Sequence, residues 1–160
     1  MEENENQEGL VVANKNYSIK GFEGRKTSGN TITEVRTNIT DSKQLFNLEN
    51  NVDYMLNDCE GQVIRVSKVL IKRFEKPLKE PIVDEETGEV LKDKEYTMSC
   101  VIVDEDGKSY ATGSKTFTIA LDKYMSMQAN FGIKEETFDI KIIKKKVGEK
   151  GNKALSFELV

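Results

Sequence analysis

The sequence has no histidine and no tryptophan, two cysteines, two prolines and no long apolar run. Without histidine there can be no Ser-His-Asp or Cys-His nucleophile pair, no metalloprotease helix and no ordinary zinc site. A lysine base leaves no sequence signature. The expectation is therefore a non-enzymatic protein that needs no cofactor. No stretch approaches the roughly 18 apolar residues of a membrane span. The N-terminus, MEENENQEGLVVANK, is acidic where a signal peptide is basic, and it has no apolar core segment. A cytoplasmic place in a bacterial host cell is expected, with no membrane partner. In that setting the glycosylation pattern NIT at 38–40 carries no weight. Cys59 and Cys100, 41 positions apart, are expected as small buried thiols rather than a disulfide.

What is present is 160 residues, 37% apolar and 32% charged. That is enough for one domain with a real core. Net charge is −4, but it is unevenly spread. Residues 1–8 hold four glutamates and no base, and residues 84–95 hold six acids and two lysines. Setting aside the −4 of each segment leaves a body of +4. Overall charge is a weak guide to a partner that meets one face only.

Residues 1–30 read as a flexible acidic and polar segment, with a short strand near Leu10 to Ala13. Thr31 to Thr40 alternates as a strand. Asp41 or Ser42 then caps a short helix through SKQLFNLEN. Gln62 to Phe74 is the strongest strand pattern, flanked by Gly61 and Pro77. Its faces mix apolar and basic residues, as in a strand that curls and serves two surfaces in turn; an amphipathic helix is the rival. Lys76 to Lys94 reads as a charged loop holding a small hairpin about Thr87-Gly88. Glu95 to Val103 and Lys108 to Thr112 form a hairpin across Asp-Glu-Asp-Gly. The period then changes. Ser114 caps a helix with Phe117, Leu121, Tyr124, Met125 and Gln128 on one face, and Gly132 lies at its end. Thr137 to Lys144 and Lys153 to Val160 form a last strand pair.

From residue 62 this order is that of a mainly β fold, the five-stranded Greek-key OB barrel, with its one helix between strands three and four. An ordinary α+β sheet shares the order. Residues 31–160 are thus expected to be a single OB domain carrying an N-terminal strand and helix extension.

Three motifs fail on inspection. Gly24 to Thr31 resembles a phosphate-binding loop, but Asn30 replaces its lysine and no apolar strand precedes it. Asp104 to Gly107 resembles part of a calcium loop, but Ile102 and Gly113 fall on ligand positions and cannot chelate. A nuclease metal site needs further carboxylates that the pattern does not show.

What remains is a basic and aromatic constellation. Arg65, Lys68, Lys72, Arg73 and Phe74 lie on the first barrel strand. Lys108, Tyr110 and Lys115 lie on the third and just after it. Lys141, Lys144, Lys145, Lys146 and Lys150 crowd the last pair and its loop. A single nucleic-acid strand offers phosphates to neutralise and base faces to stack. Tyr110, with a polar tip and a lysine neighbour, is the expected stacking residue. A plain solvated surface is the alternative for the lysines.

NDCEGQVIRVSKVLIKRFEKP, DEDGKSYATGSKTF and IKIIKKKVGEKGNKALSFELV together resemble the small single-stranded DNA-binding proteins of phages and conjugative elements in Gram-positive bacteria. The resemblance runs from about residue 45 to the end. It implies a protein that coats and protects single-stranded DNA in replication, recombination or transfer, without sequence preference. Self-association along the strand and contacts with replication proteins are implied partners. Nothing marks recognition of a 2′-hydroxyl, so RNA stands beside DNA. The chain departs from housekeeping single-strand binders by ending in SFELV rather than an acidic tail. The other class of function is a protein-interaction or structural module of a phage or mobile element.

Overall fold

A computed structural model describes residues 26–27, 30–132, 136–148 and 151–160. The strand expected near Leu10 to Ala13 and the tail up to residue 25 lie outside them. In chain order the elements are β1 (Lys26–Thr27), β2 (Asn30–Thr37), α1 (Ser42–Asn50), β3 (Tyr54–Met55), a 3-10 turn (Leu56–Asp58), β4 (Val63–Val83), β5 (Val90–Asp104), β6 (Ser109–Thr112), α2 (Lys115–Asn130), β7 (Phe138–Val147) and β8 (Asn152–Leu159). The fold is mainly β. All eight strands among the described residues join one sheet, in the order β1-β2-β4-β5-β6-β3, with β7 pairing both β4 and β8. The five strands expected from residue 62 onward are thus joined by three N-terminal ones, of which β1 and β3 are short.

Strand β4 organises the sheet. One edge pairs with β5 along most of its length. The other edge takes β7 at Val63–Val66 and then β2 at Leu70–Glu75. The changeover coincides with a register shift between Val66 and Lys68. Side chains alternate across a strand, so one extra residue flips the phase. Ile64 and Val66 face the inner core before the shift, and Val69 and Ile71 face it afterwards. Leu70 faces a second cluster on the opposite side. This is why both faces of the segment look mixed in the sequence.

A bulge frees backbone groups that need partners. The Ser67 hydroxyl donates to the Val103 and Asp104 carbonyls, at 3.1 Å each. The Asn38 carboxamide accepts from Val69 N at 2.9 Å and donates to the Ser67 carbonyl at 3.4 Å. The Thr37 hydroxyl donates to the Val69 carbonyl at 2.6 Å.

Residues 76–94 are not a loop. They continue β4 and β5 as a two-stranded ribbon that turns at Asp84–Glu89. The expected Thr87-Gly88 hairpin is its tip. Gly88 has φ +71° there, and its N–H donates to the Asp84 carbonyl at 2.8 Å. Pro77 and Pro81 fit because the pairing of β4 with β2 ends at Glu75, leaving the edge beyond it open among the described residues, and open edges tolerate proline and charge. Those same residues make the segment read as a loop.

The sheet buries both faces. The inner cluster joins Ile64, Ile102, Ile140 and Ile142 to Phe117 and Leu121 of α2. Ser114 caps that helix, its hydroxyl accepting from Phe117 N at 3.2 Å. The outer cluster sets Leu45 and Leu48 of α1 over Val101, Val103 and Leu70. Asp41 caps α1 by accepting from Lys43 N at 2.9 Å. Both cysteines are free and buried, as expected. Burial pushes the Cys100 thiol up to about 12.

Candidate nucleic-acid interface

The outer face of β5 and β6 is closed. Val101 and Val103 of β5 and Ala111 of β6 pack in the cluster under α1. The face where an OB barrel takes an oligonucleotide is therefore roofed over here. Two groupings of accessible aromatic and basic groups lie elsewhere, on the inner-facing side at the two ends of the sheet.

At one end, Asp104 organises the β5–β6 turn. One carboxylate oxygen accepts from the N–H groups of Asp106 and Lys108, at 2.9 Å each. The other accepts from the Tyr110 hydroxyl at 3.0 Å. Tyr110 is 8% exposed and belongs to the inner core. Burial, then the Asp104 hydrogen bond, pushes its phenol up to about 12. The expected stacking residue is thus turned inward and tethered. Tyr54 stands directly opposite it on β3, stacked on its ring. Tyr54 is 45% exposed. Lys108 Nζ lies 6.0 Å from the Tyr54 ring centroid. A groove of about 580 Å³ opens here, lined by Tyr54, Met55, Gln62 and Lys108 among others. The nearby Asp53 carboxylate is engaged, accepting from Ser109 N at 2.9 Å and from its hydroxyl at 3.2 Å.

The β7–β8 hairpin leaves the sheet at this same end. Ile142 still exchanges hydrogen bonds with Gln62 and Gly61, ahead of β4. Beyond it, Lys144 and Lys146 continue the inner-facing alternation of Ile140 and Ile142. Lys153 sits directly opposite Lys146. Like charges placed opposite each other on a sheet repel, so the pair favours an anion. Lys141 and Lys145 are exposed on the outer-facing side. Lys150 lies outside the described residues.

At the other end, Tyr96 follows the inner-facing alternation of Met98 and Cys100 and is 38% exposed. Lys115 Nζ sits 3.6 Å from its ring centroid and Arg73 Cζ 4.4 Å from it. Arg73 also pairs with Glu75 at 2.8 Å.

The remaining expected residues are engaged in the fold. Arg65 is exposed but holds Asp139 through two hydrogen bonds of 2.9 and 3.2 Å. That contact keeps the Asp139 carboxyl below its ordinary range. The Lys72 side chain is 17% exposed and pairs with Glu49 of α1 at 2.9 Å. Phe74 packs against the outer cluster. Lys68 is half-buried beside the bulge.

Tyr54 and Tyr96 were not foreseen. Tyr54 sits in NVDYMLND, a stretch without period, and the pairing that gives it a role is to residues 56 positions away. Tyr96 had a legible signal, since it shares the parity of Met98, Cys100 and Ile102 at the frayed end of that alternation.

Among the described residues no helix is long and apolar enough to cross a membrane. No group of three or more metal-binding side chains occurs among them either. A family model described as "Phage Single-stranded DNA-binding protein" matches residues 31–160. No curated protein and no solved structure matches the chain.

Proposed function

We propose a specific grip for this chain, which belongs to the phage single-stranded DNA-binding protein family. The family membership carries the function: the protein binds single-stranded DNA in phage replication. The observation that carries the grip is the Tyr54–Tyr110 stack, an exposed ring laid on a buried one, with Lys108 beside it. A base would stack on the open face of Tyr54. Lys108, Lys144, Lys146 and Lys153 would meet backbone phosphates around it. The strand would then follow β6 towards Lys115, Arg73 and Tyr96, a path of about 20 Å at roughly 3.3 Å per residue. Lys141, Lys145 and Lys150 add to the field of the hairpin. Arg65, Lys68, Lys72 and Phe74 support the surface from behind.

In this reading the fold is an OB-like half-barrel of β4 to β8, with β1, β2 and α1 as an extension over its outer face. Residues 31–160 act as one domain, and residues 1–30 as an appendage. The chemistry is binding without catalysis. Stacking is indifferent to base identity and phosphate contacts carry no sequence, so the protein coats its strand without sequence preference.

The test is fluorescence anisotropy with a labelled oligo-dT of about 30 nucleotides, longer than the roughly 4–16 nucleotides one such site covers. Titrations at low and high salt, with duplex and oligo-U competitors, complete it. Tight, salt-sensitive binding that duplex does not displace is expected. No binding at low salt would overturn the reading. Displacement by oligo-U would extend the partner to RNA.

A further inference from the structure

The β4–β5 ribbon serves no purpose in the grip described above. Beyond Lys76 its strands pair with each other and lie almost wholly exposed. Its eight β4 residues reach about 26 Å from the sheet at roughly 3.3 Å per residue. A lone two-stranded ribbon is marginal in water. Even so, its tip displays Ile82, Val83, Val90 and Leu91, all exposed. Val83 pairs with Val90, and Ile82 with Lys92. Around these apolar residues stand Asp84, Glu85, Glu86 and Glu89. Clustered exposed apolar residues mark an interaction site. The acids repel phosphate, so the partner is not the DNA.

A complementary surface lies at the opposite end of β4. There Val63 is exposed and stands opposite Lys141, with Ile143 and Lys145 next along β7 on the same side. This strip is apolar and basic where the ribbon tip is apolar and acidic. Glu158, opposite Lys141, tempers its charge without reversing it. The strip faces away from the side assigned to DNA above.

We propose that the ribbon tip of one copy docks on the outer face of the β7–β8 hairpin of the next. Val83 and Val90, which are paired and so share one face of the ribbon, would meet Val63 and Ile143, and Glu85 and Glu86 would meet Lys141 and Lys145. The two surfaces lie at opposite ends of one strand, so the contact is head-to-tail. Such contacts close into rings or run on as filaments. Association needs no DNA; its use along a strand rests on the single-strand reading.

Sedimentation velocity of the full chain at low salt tests this. For the wild type the sedimentation coefficient should rise with concentration. E85K/E86K alone should lose that rise, and so should K141E/K145E alone, because each then sets like charges together. An equal mixture of the two should regain it, since each tip now matches the other variant's hairpin. On long poly-dT, E85K/E86K should lose cooperative coating while keeping wild-type affinity for a one-site oligomer. A wild type that stays monomeric with and without a long strand would overturn the proposal. So would a mixture that fails to recover. Loss of one-site binding by the wild type would instead count against the DNA grip, and sedimentation would still decide the contact.

Discussion

Tyr54 lies stacked on Tyr110, with ring centroids 5.2 Å apart and planes inclined by 26°. The lower ring is buried and hydrogen-bonded to Asp104; the upper is open to solvent. A ring already held in place loses little freedom when a base lands on it, so stacking on it is preorganised.

Tyr54→Ala should therefore weaken oligo-dT binding by about 1–3 kcal/mol, the range for one base–aromatic stack. Its thermal stability should stay close to wild type, because Tyr54 is half-exposed. Tyr54→Phe should bind almost normally. Tyr110→Ala should instead lose about 3–5 kcal/mol of stability, as large-to-small aromatic changes in a core do. Anisotropy and urea unfolding on all three variants separate the roles. Unchanged binding by Tyr54→Ala would remove the platform from the grip.

The lysines predict a salt signature. For single strands log K falls by about 0.7 per neutralised phosphate per log unit of salt. Lys108→Gln, Lys146→Gln and Lys153→Gln should each flatten the slope by about that amount. Arg65→Gln should leave it unchanged, since that guanidinium is spent on Asp139. An equal effect at Arg65 would mean that the Asp139 contact opens when DNA binds.

Alkaline pH should destabilise the protein. Tyr110 and Cys100 hold their protons to about 12 in the fold. Unfolded, they release them near about 10 and about 8.5. The unfolded chain thus loses protons first. Stability is complete below those lower values and falls as pH climbs towards the folded ones. Tyr110→Phe removes the phenol, so its fall above about pH 10 should be shallower than wild type. Urea midpoints across this range read the difference, and parallel curves would show that the Tyr110 proton does not matter.

Much of this was legible in the sequence, because local signals agreed with the fold. Asp41 and Ser114 announced their helices, and Asp-Gly at 106–107 announced its turn. The curl of β4 could be read in its mixed faces, though not the cause, which is one residue of slippage at Ser67. The ribbon was misread because proline and charge mark open edges as well as loops. The roof of α1 over β5 and β6 could not be read at all. It depends on Leu45 and Leu48 meeting Val101 and Val103 across more than 50 residues of chain. The same holds for Tyr54, whose role comes from a partner strand.

The last prediction concerns the bulge, where β4 changes partner from β7 to β2. Asn38→Ala would leave Val69 N–H without its acceptor and Ser67 O without its donor. A buried group stripped of its partner costs about 1–3 kcal/mol. Thr37→Val keeps the shape but removes the hydroxyl that bonds the Val69 carbonyl and accepts from Ile39 N at 3.0 Å. The two side chains hold the same residue, so their effects should not add. The double variant should differ from the sum by about 0.5 kcal/mol or more. Because β7 pairs with β4 just before the shift, hydrogen exchange should also quicken at Val63 to Val66 and at Phe138 to Lys141. Additive effects with unchanged exchange there would mean that the bulge is held by the strands themselves and not by Asn38 and Thr37.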